Sequence, residues 1–377
     1  MAGVQVVIAG GGTAGHVVPG LAIAAELRDR GIPSEEILYV GSARGIETRL
    51  VPEAGFPLTV LPGRGIQRRL TLANVGAVVG LLRAVVQGIW LVVRLRPAVV
   101  VGLGGYASVP CVLGAIVARV PIVVAEQNAV PGAANRLAGR FARACAVSFP
   151  GTDLPNATWT GNPIRDEIRV LSGSPEAPRR AARELFGVHD DQVFLVVFGG
   201  SLGARKINRS FADGVRRWSS RQDLVIRHVT GTRDFPELAD QPSVADDAPL
   251  TYQLVAYEDD MPSVFAAADL ILCRSGASSV AEIAVAGVPS VLVPLPGAPG
   301  DHQTANARAL VEAGAAVLLP DADVTADRVV DELGALIDDP QRRAAMRKAA
   351  ASVARPDAVE AVVDVVVAHA KRPVGRQ

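Results

Sequence analysis

Two glycine-rich segments and one histidine have the types and spacing that chemistry on a phosphate-bearing substrate requires. Residues 10–15 read GGGTAG and precede His16, and residues 199–204 read GGSLGA. Each segment lies between an apolar run and a helical pattern, so backbone N–H groups and a helix N-terminus meet there and favour a diphosphate. Such a helix start also lowers the pKa of an imidazole, and we therefore predict that His16 is a general base.

The first segment does not by itself define the ligand. It matches G-x-G-x-x-G, the fingerprint of dinucleotide-binding proteins, but those carry an acid at the end of the second strand, where this sequence has Ser42. Neither glycine-rich segment continues into Lys-Ser or Lys-Thr, which excludes a P-loop nucleotidase. The sequence therefore predicts a diphosphate near a helix N-terminus rather than NAD.

The second segment leaves two alternative functions open. Residues 199–203 also match G-x-S-x-G, the nucleophile elbow of α/β hydrolases, and Asp269 and His302 follow Ser201 in the order of a triad. A serine hydrolase would leave the first half of the chain without a role. A protein that binds a nucleotide without catalysing a reaction is the other alternative.

Three polar segments follow predicted strands directly and are candidate ligand loops. They are residues 126–128 (EQN), 274–282 (RSGASSVAE) and 301–306 (DHQTAN). In the second of these, small residues let the backbone approach a ligand, and the Glu282 carboxylate can accept hydrogen bonds from a ribose. Together the three segments predict a ligand site.

Short apolar runs that alternate with helical patterns position these segments. We predict strands at residues 4–9, 37–40, 58–61, 99–102, 122–125, 144–147, 194–198, 224–229, 250–254, 270–273, 290–293 and 316–319. Runs that are apolar on both faces are typical of a parallel sheet covered by helices. The alternation therefore predicts βαβ units and a doubly wound α/β fold.

The repeated strand–glycine–helix start predicts two Rossmann-like domains that face each other across a cleft. We expect an N-terminal domain at residues 1–163, a C-terminal domain at 164–350, and a helix packing back on the first domain at 351–377. The first helix is predicted over residues 19–30. The closing helices are predicted over 327–370, with breaks at Pro340 and Pro356.

Residues 70–93 form an apolar stretch about as long as the roughly 20 residues that cross a bilayer. Arg83 near its middle makes a spanning helix unfavourable by roughly 2.5–3.5 kcal/mol. We predict a mostly buried helix. The alternative is a helix that dips one face into the membrane surface, which nearby basic residues favour, namely Arg64, Arg68, Arg69, Arg94 and Arg96.

Composition excludes several other classes of protein. The 377 residues are 49% hydrophobic, and 38 basic residues balance 38 acidic ones, so neither disorder nor an electrostatic nucleic-acid binder is expected. Cys111, Cys145 and Cys273 lie far apart, which is typical of a reducing cytosol, and the histidines show no metal-ligand spacing. The N-terminus lacks the pattern of a signal peptide, so we predict a cytoplasmic protein.

Seven motifs, in order along the chain, are those of one known family. They are residues 11–16, 104–108, 125–128, 161–165, 199–204, 274–282 and 301–307. Over nearly its full length the chain resembles the MurG family, bacterial glycosyltransferases that convert lipid I to lipid II in peptidoglycan synthesis. The resemblance implies a GT-B architecture and inverting transfer of N-acetylglucosamine from its UDP derivative to the C4 hydroxyl of the muramoyl unit of an undecaprenyl-linked acceptor.

The resemblance also implies which residues bind the donor, UDP-N-acetylglucosamine. Arg165 and Ser201 are expected to contact its diphosphate, and Glu282 its ribose. The backbone around Glu258 is expected to contact the uracil, and Gln303 the sugar. The remaining members of the expected donor set are Thr13, Ala14, Gly15, Asn128, Ala277, Ser278, Ser279, Val280 and Ala281.

The lipid acceptor is expected beside residues 10–15, with residues 70–93 docking on the anionic cytoplasmic leaflet of the bacterial membrane. His16 is the expected general base, and Glu126 is the alternative. The resemblance implies that no metal is required, although Mg²⁺ can stimulate the reaction through the acceptor's diphosphate.

Overall fold

The computed structural model describes residues 3–43, 45–62, 73–173, 175–199 and 204–372, without the side chains of residues 73–79. The chain forms two compact units. The first consists of Met1–Arg165 and Asp357–Gln377, and the second of Asp166–Pro356. The predicted boundaries lay after residues 163 and 350, whereas the chain leaves the first unit after Arg165 and returns to it at Asp357.

The first unit is built on a sheet of seven strands. They are β1 (Val6–Gly10), β2 (Ile37–Ser42), β3 (Leu58–Leu61), β4 (Val99–Gly104), β5 (Ile122–Glu126), β6 (Ala144–Val147) and β7 (Ala157–Trp159). Their order is β3-β2-β1-β4-β5-β6-β7, and every neighbouring pair is parallel. The chain order reverses between β1 and β4, and such a point opens a crevice at the carboxyl ends of the strands.

Helices cover both faces of this sheet. They are α1 (Ala14–Asp29), α2 (Glu47–Glu53), α3 (Ala73–Leu95), α4 (Ser108–Ala118) and α5 (Ala133–Gly139). Val6 and Ile8 of β1 are buried in the same cluster as Ile23 of α1, whereas Val7 is buried in a cluster with Val92 of α3. Because both faces of β1 are covered, its sequence is apolar without alternation.

The second unit repeats this plan with six strands. They are β8 (Val193–Phe198), β9 (Leu224–Val229), β10 (Thr251–Val255), β11 (Leu270–Cys273), β12 (Ser290–Leu292) and β13 (Ala316–Leu318). Their order is β10-β9-β8-β11-β12-β13, again with parallel pairs only. The reversal falls between β8 and β11, as it does between β1 and β4 in the first unit.

The helices of the second unit flank this sheet. They are α6 (Asp166–Arg169), α7 (Glu176–Leu185), α8 (Arg205–Gly214), α9 (Phe235–Asp240), α10 (Met261–Ala267), α11 (Ala277–Ala286), α12 (His302–Glu312), α13 (Ala326–Ile337) and α14 (Pro340–Ala350). Phe211 of α8 and Leu333 of α13 are fully buried in one cluster with Leu195 of β8. Short 3-10 helices occur at Ser34–Glu36 in the first unit and at Val215–Trp218, Pro299–Asp301 and Asp321–Asp323 in the second.

The last helix, α15 (Ala358–Ala368), completes the first unit. Its Val362 and Val366 are buried in the cluster that contains Ile23 of α1. An ion pair of 2.5 Å joins Arg30 at the end of α1 to Asp364. The first unit therefore depends on a segment from the far end of the chain.

The doubly wound fold predicted from the sequence is confirmed, and each predicted strand is present with ends shifted by at most two residues. The prediction missed β7, because this three-residue edge strand is largely exposed and lacks an apolar run. The predicted start of the first helix at residue 19 was wrong. α1 begins at Ala14, has Thr13 as its N-cap and continues through Pro19, which places His16 in its first turn.

Candidate functional site

Glycine-rich turns after β1 and β4 lie side by side in the first unit, because these two strands pair. Gly12, Gly104 and Gly105 have φ values of 92°, 95° and 73°, a conformation that favours glycine. A Cβ atom on Gly105 would lie 3.1 Å from Gly11 O and 3.9 Å from His16 Cε1. The two turns and the imidazole therefore form one wall at the carboxyl edge of the sheet.

His16 is half-buried in this wall. Its Nδ1 lies 3.3 Å from the hydroxyl oxygen of Thr13. The first turn of α1, all of it within the described residues, contains no acidic side chain that would offset the positive end of the helix dipole. An imidazole and the N–H groups of a helix start thus meet at the same place.

Glu126, the alternative base, is a buried carboxylate whose oxygens already accept hydrogen bonds. Oε1 accepts from Asn128 N and Nδ2 at 2.9 and 3.2 Å. Oε2 accepts from Gly132 N and Asn135 Nδ2 at 3.1 and 2.9 Å. Four donors match the usual capacity of a carboxylate. Glu126 therefore holds the loop after β5 and orients Asn128, a predicted donor-site residue.

One buried acid beside the first glycine-rich turn, Glu47, was not among the residues predicted from the sequence. Glu47, the first residue of α2, is fully buried and accepts a hydrogen bond from Gly12 N at 2.9 Å. The signal available in the sequence was slight: an acid soon after β2, with glycines at positions 41 and 45 close before it.

In the second unit, hydrogen bonds join the polar segments that follow β11 and β12. Ser275 Oγ donates to Gln303 O at 2.8 Å, and Asn306 Nδ2 donates to Ser275 O at 3.3 Å. Leu295 N donates to Gln303 Oε1 at 2.9 Å and so orients the side-chain amide of this predicted sugar contact. The two segments, predicted as separate ligand loops, are therefore joined by hydrogen bonds into one structure.

Arg274 forms hydrogen bonds that link the loop after β11 to the loop after β12. Its buried guanidinium donates to the carbonyls of Val293 and Pro294 at 3.3 and 3.1 Å. It also donates to Asp321 Oδ1 at 2.7 Å, and Lys206 Nζ lies 3.6 Å from the second oxygen of that carboxylate. This ion pair connects the loop after β11 to the beginning of α8.

Six predicted donor-site residues occupy the first turns of α11: Ala277, Ser278, Ser279, Val280, Ala281 and Glu282. Glu282 is 7% exposed. Within the described part of the chain, the hydroxyl of Ser278 is buried and has no hydrogen-bond partner. A ligand at the start of α11 would meet this hydroxyl and the N-terminal N–H groups of the helix.

Glu258 lies further along the same sheet edge. It follows β10, which is separated from β11 by β9 and β8, so three interstrand steps give a span of about 14 Å. Its carboxylate accepts from Arg227 Nε at 2.6 Å and from Asp260 N at 3.0 Å. The side chain is therefore used within the protein, which leaves the backbone for a ligand.

A buried polar network holds α8, the helix that follows the second glycine-rich segment. Asn208 Nδ2 donates to Thr230 O at 2.8 Å and to Asp234 Oδ2 at 3.0 Å, so its Oδ1 accepts from His228 Nε2 at 3.2 Å. Burial lowers the pKa of His228 to about 3, and the ring is therefore neutral. Tyr252 OH consequently donates to His228 Nδ1, at 2.8 Å.

The structure contradicts the serine-hydrolase alternative. Asp269 accepts a hydrogen bond from the backbone at the start of β8, so it lies at the amino ends of the strands, where it pairs with Arg179 and Arg183 at 2.6 and 2.8 Å. His302 follows β12 and lies at the opposite edge of the sheet. Asp269 therefore cannot orient His302. Ser201, the proposed nucleophile, lies outside the described residues.

The predicted donor set is divided between the two units. The first unit holds Thr13, Ala14, Gly15, Asn128 and Arg165. The second holds Glu258, the six residues of α11 and Gln303. Arg165, the last residue of the first unit before the chain crosses, is half-buried.

One face of α3 is apolar and exposed. Leu82, Val86 and Trp90 recur every fourth residue and expose 61%, 66% and 57% of their surface. The Arg94 guanidinium lies 5.0 Å from the centre of the Trp90 ring. The opposite face packs on α4 through Gly88, so the expected mostly buried helix is buried on one side only. Residues 70–72 and the arginines at positions 64, 68 and 69 lie outside the described residues.

Across the ranges that the structure describes, none of the helices combines the length and apolar character that crossing a bilayer requires. The exposed face formed by Leu82, Val86 and Trp90 is here called the α3 face. Val117 on the adjoining α4 is also exposed, at 63%.

Known proteins match the chain over almost its whole length. Residues 6–147 match the glycosyltransferase family 28 N-terminal domain, and residues 194–362 match the C-terminal domain of the same family. A Desulforudis audaxviator protein named UDP-N-acetylglucosamine–N-acetylmuramyl-(pentapeptide) pyrophosphoryl-undecaprenol N-acetylglucosamine transferase is 39% identical, over 96% of this chain and 97% of its own. A protein of that name from a Nocardioides species is 43% identical, over 96% and 97% of the two chains. The crystal structure of Acinetobacter baumannii MurG superposes with a TM-score of 0.76 at 30% identity, covering 96% of this chain and 98% of that one.

Proposed function

The chain belongs to the MurG family within glycosyltransferase family 28, and we propose that it transfers N-acetylglucosamine from its UDP derivative to the C4 hydroxyl of the muramoyl unit of lipid I. The product, lipid II, is the disaccharide precursor of peptidoglycan. The observation that carries the proposal is the match of both units, over almost the whole chain, to transferases named for this reaction. The site geometry supports it and suggests a role for each unit.

Donor binding is assigned mainly to the second unit. The start of α11 offers helix N–H groups and the buried Ser278 hydroxyl, which has no hydrogen-bond partner among the described residues. Glu282 lies on the same helix for the ribose hydroxyls. The oriented amide of Gln303 faces the sugar, and the backbone beside Glu258 reads the uracil. The span of about 14 Å between β10 and β11 suits an extended nucleotide diphosphate sugar.

The acceptor and the proton transfer are assigned to the first unit. The turns after β1 and β4 bring glycine N–H groups and the start of α1 to one edge, which favours the diphosphate of the lipid acceptor. His16 takes the proton of the C4 hydroxyl as this oxygen attacks the anomeric carbon and the bond to UDP breaks. We favour His16 over Glu126, because four donors already occupy the Glu126 carboxylate.

The UDP leaving group gains negative charge as its bond to the sugar breaks. We assign its stabilisation to Arg165, to Ser201 and to the N-terminus of α8. Across the described residues, no group of three or more His, Cys, Asp or Glu side chains is arranged to hold a metal ion. We expect turnover to persist in EDTA, with Mg²⁺ acting at most as a stimulant through the acceptor's diphosphate.

The α3 face is assigned to the anionic cytoplasmic leaflet of the cell membrane, where the enzyme binds peripherally and meets its lipid acceptor. Large exposed apolar side chains flanked by Arg83 and Arg94 are the pattern that interfacial binding requires. The sequence from Arg119, which follows α4, to Arg143 has four arginines and one acid, the buried Glu126, so this part of the first unit is also positively charged. No nucleic-acid partner is proposed.

Release of UDP from UDP-N-acetylglucosamine tests the proposal. Purified protein would be assayed with and without a lipid I analogue at matched detergent concentration, and the product identified by mass. We expect UDP release that depends on the acceptor, together with a lipid-linked disaccharide. UDP binding without acceptor-dependent release would instead support a nucleotide-sugar-binding protein that does not turn over.

Sedimentation with vesicles tests the membrane assignment. Vesicles containing phosphatidylglycerol should bind the protein, and a variant with Leu82, Val86 and Trp90 all changed to serine should bind several-fold less. The matched control changes Val170 and Leu185 to serine, since these are exposed to 66% and 64% on the second unit. Equal losses in the two variants would contradict a specific role for the α3 face.

A further inference from the structure

Glu47 is a fully buried carboxylate that the proposed reaction does not use. Its Oε2 accepts from Gly12 N at 2.9 Å. Its Oε1 accepts from Ser42 N at 2.7 Å and from Ser42 Oγ at 2.8 Å. One side chain from the start of α2 therefore ties the end of β2 to the glycine-rich turn after β1.

Three glycines make the space for this carboxylate. A Cβ atom on Gly11, Gly41 or Gly45 would overlap atoms of the Glu47 side chain. Each of the three is a described residue whose φ lies outside the left-handed region, so its backbone conformation does not require glycine. The lack of a side chain at these positions is therefore explained by the room that Glu47 takes.

The Glu47 carboxylate lies where dinucleotide-binding domains of the same fold bind their ligand. In dinucleotide-binding domains an acid at the end of the second strand binds the ribose, and the N–H groups of the glycine-rich turn bind the pyrophosphate. Here the strand ends at Ser42, and Glu47 turns back to bind both that end and Gly12 N–H. The protein's own carboxylate thus fills the crevice between β1 and β2 where a nucleotide would lie.

We propose that Glu47 is a positioning residue of the acceptor site. It closes the crevice of the first unit to nucleotides and fixes the turn that carries Thr13 and His16, so that the start of α1 remains available to the acceptor's diphosphate, beside the donor contacts expected of residues 13–15. This inference rests on the proposed function, because the proposed function assigns the acceptor to this turn. Glu47 itself touches neither substrate.

The variant Glu47→Gln tests the inference by removing one hydrogen bond. Glutamine has one oxygen for the two Ser42 donors, but its NH₂ group then faces the N–H of Gly12 and cannot accept from it. Since displacements of about 1 Å can cost roughly 100-fold in rate, we expect the acceptor KM to rise or kcat to fall about ten- to hundredfold. The dissociation constant of UDP, whose binding is assigned mainly to the second unit, should stay within twofold.

Two controls separate positioning from general damage. Glu53→Gln, at the exposed end of the same helix and paired with Arg49 at 3.1 Å, should match wild type. A double-mutant cycle combines Gly11→Ala with Glu47→Ala. In the protein that retains Glu47, Gly11→Ala should strongly impair turnover of the acceptor. In the Glu47→Ala background the same change should have little effect, because the new methyl group then occupies the space that the Glu47 side chain has left.

Hydrogen exchange supplies a readout that does not depend on activity. The Gly12 amide should exchange faster in Glu47→Gln than in wild type, and unchanged exchange would overturn the inference. The inference would also be overturned if a folded Glu47→Gln variant had an acceptor KM and a kcat within twofold of wild type. A loss of UDP affinity as large as the loss of acceptor turnover would overturn it too. If wild type itself shows no acceptor-dependent release, the proposed function fails, whereas the exchange result still tests the contact between Glu47 and Gly12.

Discussion

The two units start alike in sequence, with a central strand, a glycine-rich segment and a helix, yet different side chains hold the described residues next to each segment. In the first unit a negative carboxylate, Glu47, takes the N–H of Gly12. In the second, the neutral pair of Asn208 and His228 holds α8 from beneath and carries no charge of its own. The same plan of strand and helix is thus held by a carboxylate in one unit and by a neutral pair in the other.

Removal of His16 is the change with the largest expected effect, and it tests the role of the first unit separately from that of the second. A positioned general base contributes about 10²–10⁴ in rate, so His16→Ala should lower kcat by that factor and leave UDP affinity unchanged. The acid limb of the pH–kcat profile should also disappear. Steady-state kinetics between pH 5 and 9, with a lipid I analogue, would show both.

Glu126→Gln is the matched comparison for His16. It disrupts the hydrogen bonds of the loop after β5 and should lower the free energy of unfolding by about 1–3 kcal/mol. The acid limb of the profile should remain. A profile that loses this limb in Glu126→Gln and keeps it in His16→Ala would exchange the two roles.

The sequence sufficed for most of the fold, because strands such as β1 are buried on both faces and read as unbroken apolar runs. The edge strand β7 has no such run and was missed. The polar segments around Ser275 and Gln303 were recognised because they follow strands. Glu47 was not, because its importance comes from a contact with Gly12, 35 positions earlier, that exists only in the folded chain.

Truncation of Asn208 tests the second unit's network. Asn208→Ala leaves His228 Nε2 without its acceptor and Asp234 without one donor, so we expect a loss of about 2 kcal/mol in the free energy of unfolding. The KM for UDP-N-acetylglucosamine should rise several-fold, because α8 directly follows the second glycine-rich segment in the chain. Urea unfolding and donor kinetics measure the two effects. A change in the KM for the acceptor without a change in the KM for the donor would contradict the assignment of different roles to the two units.

His228 predicts a pH dependence of stability. The pKa of His228 in the folded protein, about 3, lies below the usual value of 6.5. Between these two pH values the imidazole is therefore protonated in the unfolded chain but neutral in the folded one. The stabilisation is complete above pH 6.5 and is lost as pH falls from 6.5 toward 3, by up to about 1.4 kcal/mol per pH unit. The difference between wild type and His228→Asn in urea unfolding should therefore shrink as pH falls.

His189→Asn is the control for this measurement, because His189 is exposed on the same unit. Its difference from wild type should stay constant between pH 7 and 4.5. A constant difference for His228→Asn as well would show that the buried ring does not titrate as described.

Titration of UDP-N-acetylglucosamine into wild type, His16→Ala and Glu282→Gln, by calorimetry without acceptor, tests the division of roles between the two units most directly. Loss of the charge on Glu282 should weaken donor binding about tenfold, or about 1.4 kcal/mol, because charged acceptors bind a hydroxyl more strongly than neutral ones. His16→Ala should bind the donor as wild type does. Equal weakening in both variants, or wild-type affinity in Glu282→Gln, would contradict the assignment of the donor to the second unit.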